Sequence, residues 1–345
     1  MSKQKVRLVD VAREANVSLA TVDRTVNGRS GVRKATAERI WEAYRKLEAA
    51  SDATRSHAGW HSPLRFDFVM PPGPNTFMRM LDESIIAARD GLARFGVTVE
   101  LHHIEGFNAP ILAEAIERVR RDSDGIVIKA LENPIVREVV NETADMGIPV
   151  VTLVSDLSSA RRIRYVGIDN RSAGRTAGYL MGRFAGGRTG PVALLAGSIT
   201  LSYRDHQERE FGFRDAVAEH FPGLDIVARE EIQDDSERAH RMTLDLLNRH
   251  PDLLGIYNIG GGARGVGQAL READKGGQVI FIGHELTRYS RQYLIDGTMD
   301  AVINQDVTHE TSEVLRALLD HHRRHTPAPP LGLPRVEIFV RENLP

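Results

Sequence analysis

The sequence predicts a small all-α helix-turn-helix head followed by an α/β body of two doubly wound parallel-sheet subdomains. Three observations predict this division. The first 56 residues are basic while the rest of the chain is acidic, short helical patterns fill the head, and strands alternate with amphipathic helices from residue 65 onward. A length of 345 residues is enough for two or three domains.

The composition excludes several classes of protein. Hydrophobic residues make up 41% and charged residues 27%, which is ordinary for a chain with a buried core. The absence of cysteine excludes disulfide scaffolds, thiolate metal sites and cysteine nucleophiles. No apolar run approaches the ~18 residues of a membrane span, and no apolar signal segment follows the basic N-terminus. We therefore expect a cytoplasmic protein without a membrane partner.

Charge is distributed unevenly along the chain. Residues 1–56 contain twelve Lys and Arg against seven Asp and Glu, a net charge of +5, whereas the whole chain carries −2. A basic module on an acidic body is typical of a nucleic-acid-binding domain fused to another domain. Chance asymmetry is the alternative, so the helix pattern has to decide between them.

Three short helices are predicted in residues 1–50. Apolar residues recur at helical spacing from Leu8 to Ala15, and Ser18 is placed to cap a second helix that extends to Val26. A third helix follows within residues 34–47. Two helices joined by a tight turn and completed by a third form a helix-turn-helix. A three-helix bundle that binds protein is the alternative interpretation.

The second predicted helix carries residue types that suit the major groove of DNA. Leu19 and Ala20 lie at its start, where apolar side chains can contact a thymine methyl group. Arg24 can donate two hydrogen bonds to guanine. The short polar side chains that can hold phosphates nearby are Ser18, Thr21 and Asn27. We predict that these residues form an interface with double-stranded DNA.

The head closely resembles the N-terminal region of LacI/GalR-type transcriptional regulators. The resemblance runs without gaps over residues 8–28 and follows that family's pattern DVAxxAxVSxxTVSRxxN. It implies that Leu19 and Ala20 discriminate between operators. It also implies that Arg24 and Asn27 make further contacts with DNA.

Two departures from the family pattern stand out in the head. Asp23 occupies a position where the family usually has Ser, which brings a negative charge near the duplex. The family also has a Tyr-x-Pro-Asn-x-x-Ala-Arg segment that forms a hinge helix in the minor groove, and residues 47–56 lack its Pro-Asn pair. Whether a hinge helix forms there is left open. We predict a domain at 1–50, a linker at 51–64 and a second domain at 65–345.

The alternation of strands and helices in the body predicts right-handed βαβ units on parallel sheets. Because ~280 residues are many for one sheet, we expect two subdomains. The predicted strands are Phe66–Met70, Thr98–His102, Gly125–Ile128, Val150–Val154, Val192–Leu195, Leu253–Tyr257, Val279–Ile282 and Ala301–Ile303. The predicted helices are Met78–Phe95, Pro110–Arg121, Ile135–Met146, Ser172–Phe184, Glu208–His220, Ser236–His250, Arg264–Ala273 and Thr308–His322.

Residues that follow the predicted strands are candidates for a binding site, because ligands of such sheets lie beyond the carboxyl ends of the strands. They are amides, carboxylates, guanidinium groups and one aromatic ring, with no nucleophile beside a base. Such groups suit the hydroxyls and the C–H face of a sugar or polyol. The candidates are Asn75, Phe77, Ser155, Asp156, Arg204, Arg209, Asn258, His284, Glu285 and 304–306.

The body resembles the ribose-binding branch of the periplasmic sugar-binding proteins over residues 65–322. This type I fold also forms the effector domain of LacI-type regulators. The matching stretches include Pro149–Leu153, Val166–Asn170, Arg209–Phe213 and Leu294–Gly297. The resemblance implies that the effector contacts Asn75, Phe77, Asp156, Arg209, Asn258, Glu285 and Gln305.

These assignments have structural alternatives. A polar residue after a strand is often only a cap or a turn former, and Phe77 can equally be a core residue. Glu285 stands where sugar binders usually have Asp, and Asp156 is offset from the usual acidic position. Asp169-Asn170 is predicted to cap the following helix rather than to contact a ligand.

No cofactor and no metal are predicted. Residues 260–267 are rich in glycine and follow a strand, but their spacing is not Gly-x-Gly-x-x-Gly, so we favour a flexible turn over a nucleotide site. His321, His322 and His325 stand beside two arginines, which favours a solvated basic tip over a metal site.

The two resemblances imply a transcription regulator that acts as a repressor and binds a pseudo-palindromic operator as a homodimer. A sugar or polyol in the cleft between the lobes is expected to control operator affinity. The alternative is a solute-binding protein without a regulatory role. An enzyme is a third class, for which the sequence offers no nucleophile, metal set or phosphate loop. The sequence leaves open whether the effector is a sugar acid or a neutral compound and which operator sequence is bound. It also leaves open whether the effector induces or co-represses, and whether the protein is a dimer or a tetramer.

Overall fold

A computed structural model of the chain describes residues 8–26, 32, 36–37, 39–40, 42–43, 63–72, 76–105, 108–197, 203–322 and 334–345. The chain divides into two compact units, Met1–Pro63 and Leu64–Pro345. Asn27, Asn75, residues 47–56 and most of the predicted linker lie outside the described residues.

The N-terminal unit contains two short helices, α1 (Leu8–Glu14) and α2 (Leu19–Val26), and residues 36–37, 39–40 and 42–43 are also helical. Val11, Val22 and Ile40 are buried in one apolar cluster, so the three helical segments share a core. Ser18 caps α2, because its Oγ accepts a hydrogen bond from the Thr21 backbone N–H at 3.2 Å. The predicted helix-turn-helix arrangement is confirmed.

The C-terminal unit has two lobes, each with a parallel sheet between helices. Lobe 1 comprises residues 64–166 and 307–322. Its strands are β1 (Leu64–Met70), β2 (Val97–His103), β3 (Gly125–Ile128), β4 (Val150–Leu153) and β5 (Arg164–Val166). Its helices are α3 (Thr76–Ala93), α4 (Ala109–Val119), α5 (Pro134–Asp145) and, later in the chain, α11 (Val307–His322).

Lobe 2 comprises residues 170–304 and 334–345. Its strands are β6 (Gly190–Ala196), β7 (Leu224–Glu231), β8 (Gly255–Asn258), β9 (Ile280–His284), β10 (Ala301–Asn304) and β11 (Glu337–Phe339). Its helices are α6 (Asn170–Ala185), α7 (Arg204–His220), α8 (Ser236–Arg249), α9 (Ala263–Glu272) and α10 (Arg288–Asp296), with a 3-10 turn at Arg341–Asn343.

The two sheets repeat one strand order. Lobe 1 has the order β2-β1-β3-β4-β5, and lobe 2 has β7-β6-β8-β9-β10 in the same relative order with β11 added antiparallel at its edge. In a doubly wound sheet of this order the connections diverge beside the first strand, which opens a crevice at the carboxyl ends. This confirms the predicted fold class of two doubly wound subdomains.

The chain passes between the lobes at three places. It leaves lobe 1 between β5 and α6, returns between β10 and α11, and leaves again between α11 and β11. Helix α11 packs on α3, β4 and β5, although its sequence follows the last parallel strand of lobe 2. The first two crossings, residues 166–170 and 304–307, therefore join both lobes at the base of the crevice.

The strands that the sequence pattern misses are all edge strands. β5, β7 and β11 lie at the outer edges of their sheets, where one side meets solvent and charged residues interrupt the apolar run. The predicted central strands β3, β4 and β8 are buried at every position. The sequence pattern also misses helix α10, because polar residues dominate this stretch of only nine residues.

Gly174 permits the close approach of α6 and α7. A Cβ atom at this position would lie 1.9 Å from the Arg209 carbonyl oxygen, so no side chain fits there without moving α7. Because Arg209 lies on α7, the small residue in α6 fixes where that guanidinium is held.

We expect Gly174→Ala to lower the free energy of unfolding by about 1–3 kcal/mol, since overpacking forces the two helices apart. Chemical denaturation measures this. Gly91→Ala in α3 is the matched control: a Cβ there meets nothing within 4 Å, so that change should be neutral or stabilising by up to about 1 kcal/mol. Equal effects of the two substitutions would contradict the close-packing argument.

Candidate functional site

The start of α2 presents an exposed polar and apolar surface. Leu19 is 50% exposed, which is unusual for a large apolar residue, and Arg24 is exposed one turn further along the helix. Ser18 and Thr21 lie beside them with their hydroxyl oxygens 2.8 Å apart. Ala20 belongs to the same helix, but its side chain and the whole of Asn27 lie outside the described part. Four of the predicted DNA-binding residues thus lie on or beside α2 with described side chains.

A cleft in the C-terminal unit lies at the carboxyl ends of both sheets. It has a volume of about 820 Å³ including its open mouth. Lobe 1 contributes the segment after β1, Lys129 after β3 and Val154 after β4, while lobe 2 contributes residues after β6, β8 and β9. These are the divergence points of the two sheets, where ligands of doubly wound folds bind.

Arg209 is the buried centre of the cleft, with 2% of its surface exposed. Its Nε donates to Asn170 Oδ1 at 2.8 Å, and its Nη1 donates to the Ile259 carbonyl at 3.0 Å. Its Nη2 lies 3.8 Å from Glu285 Oε1 and has no hydrogen-bond partner in the described part of the chain. The guanidinium is therefore held rigidly with one donor nitrogen free for a ligand.

Glu285 and Gln305 form the acceptor side of the cleft. Gln305 Nε2 donates to Glu285 Oε1 at 2.8 Å, and both residues are buried. Glu285 Oε2 and Gln305 Oε1 have no partner among the described residues. Buried polar atoms are costly when unpaired, so unpaired donors and acceptors that line a cleft indicate a ligand that pairs with them.

Burial changes the protonation of the carboxyl groups behind the cleft. It raises the pKa of Glu285 to about 7, against the opposing charge of Arg209. Burial beside Glu285 likewise raises the pKa of Glu310 well above its usual range, and neither carboxyl oxygen of Glu310 has a partner within the described ranges. By contrast, the pKa of Asp205 is lowered despite its burial, because His206, Lys129 and Arg209 surround it.

Two residues of the cleft wall have strained backbones. Val154 has a φ of 67° and Glu285 a φ of 70°, the left-handed region that non-glycine residues and β-branched residues above all avoid. Val154 is held by a backbone hydrogen bond to Val166, and Glu285 by one to Ile303. Strain of this kind is concentrated at functional sites, where the surrounding structure fixes the conformation.

A chain of hydrogen bonds leads from Arg209 to the first crossing between the lobes. Asn170 accepts from Arg209 and donates through Nδ2 to the Tyr165 hydroxyl at 3.1 Å. The Tyr165 hydroxyl in turn lies 3.1 Å from the carbonyl oxygens of Val154 and Ile168 and can donate to one of them. Asp169 caps α6 through its contact with the Ser172 backbone N–H, as predicted.

The structure brings together four of the predicted effector residues and separates two. Phe77, Arg209, Glu285 and Gln305 line the cleft. Asn258 is buried beneath it and donates to the Gly260 and Gly261 carbonyls, so it shapes the loop rather than the wall. Asp156 does not line the cleft, because Thr152 and Arg162 hold its carboxylate elsewhere.

Several residues of the cleft were not predicted. Lys129 lies immediately after β3, at the carboxyl end of a strand, where ligands of such sheets are expected. Asp205 and His206 lie in the first turn of α7 after β6, and Tyr289 lines the cleft from lobe 2. Nothing in the local sequence marks Asp205, His206 or Tyr289, since only the fold brings them to the cleft.

The glycine-rich loop after β8 and the histidines at the end of α11 have structural roles. The Gly260–Gly262 loop lines the cleft, and its Gly261 N–H donates to Asp234 Oδ1 at 2.6 Å. His322 is not part of a solvated tip as expected: it stacks on Phe66 and lies 2.7 Å from the Asp124 carbonyl. His325 lies outside the described residues. No cluster of potential metal ligands, and no helix long and apolar enough to cross a membrane, occurs in the part of the chain that the structure describes.

Two lobes joined by crossing segments around a polar cleft define a ligand-binding protein of the hinged two-lobe class, here with a helix-turn-helix unit at its N-terminus. The chain belongs to the periplasmic binding protein domain family, which it matches over residues 66–323. Residues 7–48 match the bacterial regulatory proteins of the lacI family. The resemblances inferred from the sequence are confirmed for both parts.

Relatives are found for each part. The D-ribose/D-allose-binding protein of Pseudomonas aeruginosa is 30% identical over 191 residues, which cover 53% of this chain and 58% of that protein. The HTH-type transcriptional regulator pepR1 of Lactobacillus delbrueckii subsp. lactis is 36% identical over 85 residues, 25% of this chain and 26% of the relative. The chain thus spans less than two thirds of the length of each of these relatives.

The fold is shared with solved structures. GanP, a glucose-galactose binding protein from Geobacillus stearothermophilus, superposes with a TM-score of 0.73 at 26% sequence identity. The match covers 82% of this chain and 99% of that one.

We expect Glu285 to contribute a loss of stability as pH rises from about 4.5 to above 7. Its pKa is about 7 in the folded chain against 4.5 ordinarily, so the folded state keeps a proton that the unfolded state has lost. This costs about 3 kcal/mol above pH 7. Glu285→Gln should remove that part of the slope, measured as the melting temperature between pH 5 and pH 8.

The control for this experiment is Glu237→Gln, which changes an exposed carboxylate on α8. A difference between wild type and Glu285→Gln that stays constant with pH would contradict the raised pKa.

Proposed function

We propose that the chain is a sequence-specific DNA-binding transcription regulator, a repressor, whose operator affinity is controlled by a small sugar-type effector in the cleft. One observation carries the proposal: a lacI-family region and a periplasmic-binding-protein body occur in one chain. A binding protein that only delivers solutes for transport has no use for a DNA-binding head. The proposed DNA partner places the protein in the cytoplasm.

The head supports the DNA half of the proposal. Residues 1–56 carry a net charge of +5, which favours the phosphate backbone of DNA. Leu19 and Arg24 are exposed on and near the first turn of α2, the part of a recognition helix that contacts base edges. One such helix contacts few base pairs, so a specific site needs two heads. A homodimer on a pseudo-palindromic operator, with half-sites about one turn apart, meets this need.

The cleft supports the effector half. A sugar hydroxyl both donates and accepts hydrogen bonds, which suits a wall that offers the Arg209 donor beside the Glu285 and Gln305 acceptors. Phe77 offers an apolar ring for the C–H side of a sugar. Two of the proteins named above bind ribose and allose or glucose and galactose according to their names, which favours the same class of ligand here.

The hydrogen bonds at the first crossing offer a physical route for control. A ligand that engages Arg209 acts on Asn170 and, through it, on Tyr165 in the other lobe. If the effector binds one arrangement of the lobes more tightly than the other, it shifts the protein toward that arrangement. The change in operator affinity is limited by the difference between the effector's affinities for the two arrangements. A coupling of about 1–3 kcal/mol gives roughly 5–150-fold regulation, and DNA must change effector affinity by the same factor.

The direct test is to select DNA sites for the purified full chain from a random duplex pool, and then to measure protection of a selected site with and without single sugars. The proposal expects a symmetric footprint of two half-sites and at least one sugar that changes its affinity more than fivefold. A tightly bound sugar without any specific DNA site would favour the solute-binding alternative.

Arg24→Ala should abolish specific operator binding, because a bidentate contact to guanine is worth about 1–3 kcal/mol per site and a dimer makes two. Competition binding with specific and scrambled duplexes measures this. The control is Arg241→Ala, which removes the same charge from an exposed position on α8. An unchanged footprint with Arg24→Ala would remove this residue from the interface.

Glu285→Ala should abolish the effector response and leave operator affinity intact, since it removes an acceptor from the cleft and leaves α2 untouched. The measurement is operator affinity across a titration of the active sugar. Asp156→Ala is the matched control, because this carboxylate lies outside the cleft. Loss of both activities in Glu285→Ala would indicate unfolding, and an unaltered response would place the effector elsewhere.

A further inference from the structure

Lys129 is a buried cation in the lobe 1 wall of the cleft. It directly follows β3, is 5% exposed and lines the cleft. Its Nζ lies 4.1 Å from the centroid of the Tyr203 ring, a cation–π contact that uses the charge but satisfies none of the three N–H donors. Lys129 makes no hydrogen bond and no ion pair among the described residues. A buried ammonium in this condition is costly unless a ligand supplies acceptors.

The carboxylates of the cleft do not outnumber its buried cations. Lys129 and Arg209 are both buried, and Asp205 and Asp234 are carboxylates in the same lining. No ion pair within 4 Å joins Asp205 to either cation in the described part of the chain. Asp205 Oδ1 has no hydrogen-bond partner there, so it remains an acceptor for a ligand hydroxyl.

The remaining charged groups of the cleft leave an excess of positive charge at neutral pH. Burial raises the pKa of Glu285 to about 7, so this group is about half protonated, and burial beside it raises the pKa of Glu310 well above its usual range. Arg79 and Arg264 add exposed positive charge to the lining of the cleft, one from each lobe. The cleft therefore favours a negatively charged occupant.

The glycine loop is not the place for that negative charge. The Gly261 N–H, which could bind an oxyanion, already donates to Asp234 Oδ1 at 2.6 Å. The carboxylate of Asp234 therefore occupies the position that a phosphate would take in a glycine-rich loop. Lys129, on the opposite lobe, is left as the buried donor without an acceptor.

We propose that the effector is an acidic sugar whose oxyanion, a carboxylate or a phosphate, accepts hydrogen bonds from the buried Lys129 ammonium. Its hydroxyl groups pair with the open acceptors of Asp205, Glu285 and Gln305 and with the open donor of Arg209. This inference rests on the proposed function, because it names the class of effector that the same cleft binds. It makes Lys129 the residue that selects an acidic sugar over its neutral counterpart.

Titration calorimetry with matched probes tests the inference on the full chain. The probes are D-ribose, D-ribonate and D-ribose 5-phosphate, and D-glucose, D-gluconate and D-glucose 6-phosphate. We expect one acidic member to bind at least tenfold more tightly than its neutral counterpart. Tighter binding of ribonate or gluconate indicates a carboxylate, and tighter binding of a sugar phosphate indicates a phosphate.

Three variants assign this preference to Lys129. Lys129→Met keeps most of the length of the side chain and should weaken binding of the acidic probe at least tenfold while changing binding of the neutral counterpart less than threefold. Lys129→Arg should restore most of the preference. Lys275→Met removes a lysine that lies outside the cleft and should change neither affinity. Melting temperatures establish that each variant is folded.

Each other outcome overturns the inference, and operator binding separates it from the proposed function. If a neutral sugar binds more tightly than both its acidic counterparts and alters operator affinity, the inference fails and the proposed function stands. If Lys129→Met is folded and weakens the binding of acidic and neutral probes equally, Lys129 is not the residue that selects between them. If no probe binds, the acidic-sugar inference and the sugar-effector part of the proposal both fail.

Discussion

The binding cleft depends on one buried guanidinium. Arg209 is removed from water, which is costly for a charge, and Asn170 and the Ile259 carbonyl partly compensate by accepting its hydrogen bonds. These two acceptors fix the crossing segment and the loop after β8 relative to α7. Gly174 makes this possible, because only a residue without a Cβ lets α6 approach the Arg209 backbone so closely.

The polar atoms that remain unpaired around Arg209 give the cleft its chemistry. Glu285, Gln305 and Asp205 present open acceptors, Arg209 an open donor, and Lys129 an ammonium without a hydrogen bond among the described residues. A fold that only needed stability would pair or replace such groups, since each is destabilising when buried alone. Their concentration at the carboxyl ends of two sheets, beside backbone strain at Val154, is the physical signature of a site that a ligand completes.

The sequence predicted those elements whose structure depends on interactions between residues close together in the chain. The central strands have unbroken apolar runs, and Ser18 and Asp169 cap helices through contacts three residues away. The missed strands β5, β7 and β11 are edge strands, whose polar sides carry no such pattern. Among the residues that follow strands, Glu285 and Gln305 line the cleft, whereas the carboxylate of Asp156 is held away from it by Arg162.

The sequence by itself determined the two-part organisation, the parallel α/β class of the body and the residues of α2 that suit DNA. These follow from periodicity, charge and contiguous motifs, which are local properties. Only the tertiary structure decided which polar residues meet. Lys129 and Asp205 are 76 positions apart, yet burial at facing sheet ends places both in one cleft and leaves both with unmet hydrogen-bonding capacity. The environment that gives these side chains a function arises only from the packing of the two lobes.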